Sequence, residues 1–202
     1  MSAIQALSDV NFRSTSYAIA RTRGRCPHCG VSTGLLALVL PAGHEALEAE
    51  AEPELEPELE ADKGAGAHAN AHAETSAGSD AAGSEVWQRA DIIAFLFYVE
   101  HLPDDVRVRL NSLSQFFRVT HSKATLSSYW ANHCEHCSRP LDDHDLHCEP
   151  EGAFMPASVI AAEAIELLHV AEPFEAAAAG YALEPEFFGF MRRSRPSWPS
   201  TF

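Results

Sequence analysis

The chain has 202 residues, enough for one domain of ordinary size, and its 14 basic and 29 acidic side chains leave a net charge of −15. That balance excludes a broad electrostatic footprint for DNA or RNA. No apolar run approaches the roughly 18 residues of a membrane span and no basic stretch leading into an apolar one opens the chain, so a cytoplasmic protein is expected.

The charge is unevenly placed. Residues 45–85 hold 12 of the acids and a single base, Lys63, so the remainder carries only −4. Nucleic acid stays possible through two local groups, Arg13, Arg21, Arg23 and Arg25, then Arg192, Arg193 and Arg195.

In chain order, residues 1–11 read as a leader. STSYAIART then has the β-branched and aromatic content of a strand, and it runs into RCPHCG at 25–30. In that knuckle proline fixes the turn and Gly30 can take the positive φ that lets backbone N–H groups face the sulfurs. LLALVLP (35–41) is a short apolar run stopped by proline, the pattern of a buried strand. From about Glu45 to Ser84 the sequence becomes an acidic EPEL repeat followed by an Ala/Gly/Ser/His tract. Such composition buries too little apolar surface to offset its chain entropy, so a disordered insertion is expected, with His68 and His72 weak metal candidates inside it.

Order resumes at Trp87. ADIIAFLFYVEHLP (90–103) reads as a core strand, and Pro103-Asp104-Asp105 opens a helix whose apolar stripe is Val106, Leu110, Leu113 and Phe117. Strand character returns at Phe117–Thr120 and at Ser127–Ala131, the second leading into HCEHC. ASVIAAEAIELLHV (157–170) has the spacing of an amphipathic helix. Beyond it, residues 171–202 are interrupted by proline and glycine and read as a loosely attached aromatic tail.

The chemistry lies in two Cys-x-x-Cys pairs, Cys26 with Cys29 and Cys134 with Cys137. One such pair also suits redox catalysis; two together suit a closed tetrahedral zinc site. Although 104 residues separate Cys29 from Cys134, setting aside the insertion leaves a gap that a strand, a helix and a strand can bridge. Five cysteines, an odd number, fit reduced thiolates on a metal better than a disulfide framework. His28 and His136 take equivalent third positions in the pairs and are expected to face solvent. Asp142, Asp143, His144, Asp145, His147 and Cys148 supply donors for a second, open metal site, against the reading of a solvated loop. Cys148 reads as a free or buried thiol.

CPHCG, with the later YWANHCEHC and DLHCEPEGAFMP, resembles a group of uncharacterised bacterial proteins that carry split Cys-x-x-Cys knuckles. The likeness covers two short stretches. It implies a zinc-ribbon-like domain and no particular reaction. Ser138 departs from it, standing where a glycine would usually follow the second pair, and Arg139-Pro140 is an unusual continuation.

The expected fold is α+β: a zinc-ribbon-like small antiparallel sheet with one or two packed helices, forming one domain over 12–170 interrupted at 45–84. One structural Zn2+ is expected on Cys26, Cys29, Cys134 and Cys137, in a binding or adaptor protein with a protein partner. The alternatives are a metal-dependent hydrolase or nuclease built on the Asp142–Cys148 cluster, and a nucleic-acid-binding zinc ribbon.

Overall fold

The computed structural model describes residues 10–47, 86–122 and 126–194. The insertion expected at 45–84 lies outside them, except for its first three residues, as do His68, His72 and Arg195.

The run Leu35–Leu40 is apolar at every position because both of its faces are covered. Leu36, Leu38 and Leu40 enter one core, while Leu35, Ala37 and Val39 enter a second on the opposite face. This strand, β3 (Ser32–Leu40), pairs antiparallel with β2 (Tyr17–Arg25) on one side and with β6 (Ala94–His101) on the other. The sheet continues outward from β2 through β9 (Glu166–Val170), which is antiparallel, to β11 (Arg192–Ser194), which is parallel to β9. In the other direction β6 leads to β10 (Phe174–Leu183), then β1 (Phe12–Ser14), β4 (His44–Leu47) and β5 (Trp87–Ala90). A hairpin of β7 (Phe117–His121) and β8 (Ser128–Asn132) joins β6 through Val99 and Trp130.

The described residues thus form an eleven-stranded sheet curled into a half-barrel, with three short helices. This overturns the expected small ribbon with packed helices. The physical reason is that the C-terminal third, expected to be helix and tail, is sheet. The 157–170 stretch forms helix α3 only over Val159–Glu163, after which Leu167 and Leu168 alternate between the two cores as β9. The aromatic tail supplies β10, a central strand. Its alanines fit there because large neighbours fill the space: a Cβ added at Gly180 would lie 2.3 Å from the Phe97 ring.

The first core is roofed by helix α1 (Asp104–Leu113), whose Val106 and Leu110 are buried. Its Arg109 donates to the hydroxyl of buried Tyr17 at 2.9 Å and pairs with Glu172. The second core is closed by helix α2 (Asp143–His147), by α3 and by a 3-10 turn at Phe188–Phe190. β6 is irregular at Tyr98, which has φ of 50°. Ala94 and Leu96 face the first core, but beyond Tyr98 the next inward residue is Val99, and the pairing with β10 shifts register just past it, between Val99↔Ala178 and His101↔Ala177. No helix among the described residues is long and apolar enough to cross a membrane.

Candidate metal centre

The two knuckles are built alike. In the first, the Cys26 N–H donates to Val31 O and the Gly30 N–H to Cys26 O, both at 2.9 Å. In the second, the Cys134 N–H donates to Arg139 O and the Ser138 N–H to Cys134 O, again at 2.9 Å. Gly30 has φ of 73° and Ser138 φ of 57°. The serine therefore adopts the left-handed backbone that its counterpart reaches without a Cβ penalty, and the turn survives the substitution at a cost in strain.

The sulfurs of Cys26, Cys29, Cys134 and Cys137 all lie within 4.8 Å of one another. The closest contacts cross between knuckles, 3.8 Å for Cys26 with Cys137 and 3.6 Å for Cys29 with Cys134. A tetrahedron of thiolates on zinc at about 2.3 Å has edges of about 3.8 Å, so the donor set fits such an ion. Cys26 and Cys134 are buried, whereas Cys29 is exposed. Cys148 stands outside the cluster as a free thiol.

Three contacts hold the knuckles against each other, none of them anticipated from the sequence. β3 pairs with β6 only at Leu38, Val39 and Leu40, which leaves the backbone of Leu36 without a strand on that side. Buried Asn132, at the end of β8, fills the gap: Leu36 donates its N–H to Asn132 Oδ1 at 2.8 Å, and Asn132 Nδ2 donates to Leu36 O at 2.9 Å. An amide side chain is the one uncharged group with a donor and an acceptor in the spacing of a strand edge. Thr33, fully buried at the start of β3, accepts the Glu135 N–H at 3.0 Å inside the second knuckle. Arg23, just before the first knuckle, reaches the Glu135 carboxylate at 3.3 Å. The polar residues flanking each pair were the available signal, since a buried Asn or Thr must find partners.

The electrostatics are compatible with a cation. The N–H groups of Cys137 and His136 both point at the Cys134 sulfur, and they lower its thiol to about 6. Cys29 receives the Val31 N–H, which lowers it, but desolvation and the three neighbouring thiols outweigh that bond and push it up to about 11. Four sulfurs this close cannot all ionise at neutral pH unless a positive charge sits among them.

The remaining candidates separate. His28 and His136 are exposed. The Asp142–Cys148 stretch is neither a solvated loop nor a converging set of ligands. Asp142 caps α2 by accepting the His144 N–H at 2.8 Å. Asp143 is buried and accepts the Tyr98 N–H at 2.8 Å, where β6 is irregular; burial raises it to about 7. His147 is buried between aromatic rings, with centroids 4.9 Å from Phe154 and 5.7 Å from Phe97. Its Nδ1 has no partner, and burial lowers it to about 3. Exposed His144 reaches Glu149 at 3.5 Å. Among the described residues, only the four cysteines gather as possible metal ligands.

Comparison of the chain with protein-family models, curated proteins and solved structures gave no match.

Proposed function

We propose that this chain is a zinc-stabilised binding or adaptor protein, with one structural Zn2+ held by Cys26, Cys29, Cys134 and Cys137. The observation that carries this reading is the cluster itself: four sulfurs within 4.8 Å, drawn from two knuckles that buried side chains lock together. When bound, the ion would neutralise the thiolates and tie the β2–β3 hairpin to β8. Four protein ligands leave zinc no open position for substrate, so its contribution is to the fold. The chain would then share its knuckle pair with the bacterial proteins that its two short runs resemble.

A protein partner is favoured over nucleic acid because three of the four arginines of the first basic group, all but Arg25, are already engaged. Arg13 pairs with Glu45, Arg21 with Glu166 at 2.5 Å and Arg23 with Glu135. The hydrolase alternative needs donors converging on an open cavity, and Asp143 and His147 are instead committed to the interior.

The test is metal content and stability together. Purified full-length protein should carry one zinc per chain, and a strong chelator should lower its melting temperature. Cys134→Ser should lose the metal and melt early, because ligand loss and loosening of the fold are linked. A parent protein without zinc, or a Cys134→Ser variant with parental zinc and melting, would remove the reading. Hydrolytic activity abolished by His144→Ala with the zinc retained would replace it with the enzyme.

A further inference from the structure

The β2–β3 hairpin carries the first knuckle at its tip. At its other end, where Ala18 and Val39 sit, a cavity of about 420 Å³ opens on the face of the second core. That volume falls in the range of small-molecule sites. Ala18, Val39, Ile93, Leu167 and Phe188 make an apolar floor, and His169 and Arg193 stand with them in the lining. No acidic residue lines the cavity.

Arg193 differs from the arginines shown above to be paired. Arg13, Arg21, Arg23 and Arg109 each have a carboxylate partner, whereas Arg193 has none among the described residues. Its guanidinium lies 5.8 Å from the centre of the Phe188 ring, which holds the charge beside the apolar floor. His169 cannot neutralise it, being uncharged or cationic, and its Nδ1 is taken by Tyr17 O at 3.2 Å. A half-open apolar cavity with one unmatched guanidinium at its side is complementary to a molecule with an apolar body and a carboxylate, the group Arg binds in a two-pronged fashion.

We propose that this cavity binds a small amphipathic carboxylate, with its apolar body on the Ala18–Val39–Leu167–Phe188 floor and its carboxylate on Arg193. The site shares no residue with the metal centre and lies about seven residues of strand away from it, roughly 20 Å. With the zinc in place, the two sites can therefore be tested separately.

The test uses zinc-loaded full-length protein titrated calorimetrically with decanoate, decanol and decylamine below their aggregation limits. The expected order is saturable decanoate binding, about tenfold or more tighter than decanol, with decylamine weakest. Arg193→Gln, a change at an exposed side chain, should erase the preference for decanoate and leave decanol within about twofold of the parent. Ala18→Phe, if it folds, should fill the floor and abolish both. Absence of saturable decanoate binding, equal affinity for acid and alcohol, or an Arg193→Gln variant that binds decanoate like the parent would each overturn the proposal. The chain also runs on from Ser194, in the cavity lining, through eight residues that include Trp198 and Phe202. A protein ending at Ser194 that binds decanoate when the full chain does not would assign the cavity to this segment and overturn the proposal as well.

Discussion

Asn132→Ala is the sharpest test of how the metal centre is assembled. Asn132 is 2% exposed and Leu36 4% exposed, so water does not readily replace the lost amide. The substitution leaves the Leu36 N–H and C=O both buried without partners. An unsatisfied buried donor or acceptor costs about 1–3 kcal/mol, so the two together predict a loss of about 2–6 kcal/mol, reduced if a water enters the space vacated. Net stabilities of domains are about 5–15 kcal/mol, which makes this a large fraction of the total. Urea unfolding of the zinc-loaded protein, followed by tryptophan fluorescence, measures the change. Asn132→Asp should fail too, because it keeps the acceptor for Leu36 N–H but sets a carboxylate against Leu36 O. The same variants should bind zinc more weakly if the contact forms fully only when the knuckles are clamped. A loss below about 0.5 kcal/mol for Asn132→Ala, the scale of an ordinary surface change, would refute the argument.

Ser138→Gly should stabilise the protein by about 1 kcal/mol, and Gly30→Ala should destabilise it by a similar amount, since both positions hold left-handed backbone; equal unfolding midpoints for parent and Ser138→Gly would contradict this. His147→Phe should keep the stacked ring and remove the orphaned Nδ1, giving unchanged or higher stability, whereas His147→Ala should cost about 2 kcal/mol or more through the void it leaves; thermal melts decide. Burial holds His147 neutral, with a folded value of about 3 against 6.5, so its contribution is complete above 6.5 and is lost as pH falls toward 3. Asp143 runs the other way: raised from 3.8 to about 7, it contributes fully below 3.8 and its contribution is lost as pH rises through 7. The two slopes, each up to about 1.4 kcal/mol per pH unit, offset each other between about 4 and 6.5. Asp143→Asn should therefore lose stability relative to the parent on acidification from pH 6.5 to 4.5, and a constant difference across that interval would sink the account. Finally, Leu47 and Trp87 are direct cross-strand partners, so residues 49–84 join two points already side by side. Replacing them with a short turn should move the melting temperature little, because closure cost grows only logarithmically with loop length; a large drop would show that the segment contributes contacts.

The four-cysteine cluster was legible because spacing alone identifies it, and the local patterns of β2, β3, β6, α1, β7 and β8 were legible because each is apolar or alternating over its own length. What stayed hidden depends on neighbours distant in sequence. IELLHV carries a strand pattern, but the alanines preceding it extend a plausible helix, and only the cores on both faces of the sheet end α3 at Glu163. EAAAAGYAL has little intrinsic strand preference; it is a central strand because β1 and β6 flank it and Phe97 covers Gly180. With those strands unread, the sheet was taken for a small ribbon. The Asp142–Cys148 stretch misled for a related reason, since donor-rich composition does not reveal which side chains turn inward. Asp143 does so to accept the N–H of Tyr98, whose left-handed backbone has no marker in the sequence.

The split of the metal site along the chain has a kinetic consequence. Cys26 and Cys29 sit at the tip of a hairpin whose strands are adjacent in sequence, so this half can form early and locally. Cys134 lies 105 positions beyond Cys29, and its approach requires the intervening strands to close first. A growing chain therefore presents two thiolates long before it can present four, and any ion caught by the first pair is held weakly and exchanges freely. Tight retention would begin only once β8 has brought Asn132 against β3. The rate at which metal becomes resistant to a chelator during refolding is thus a clock for the longest-range step in assembly, distinct from the earlier appearance of sheet.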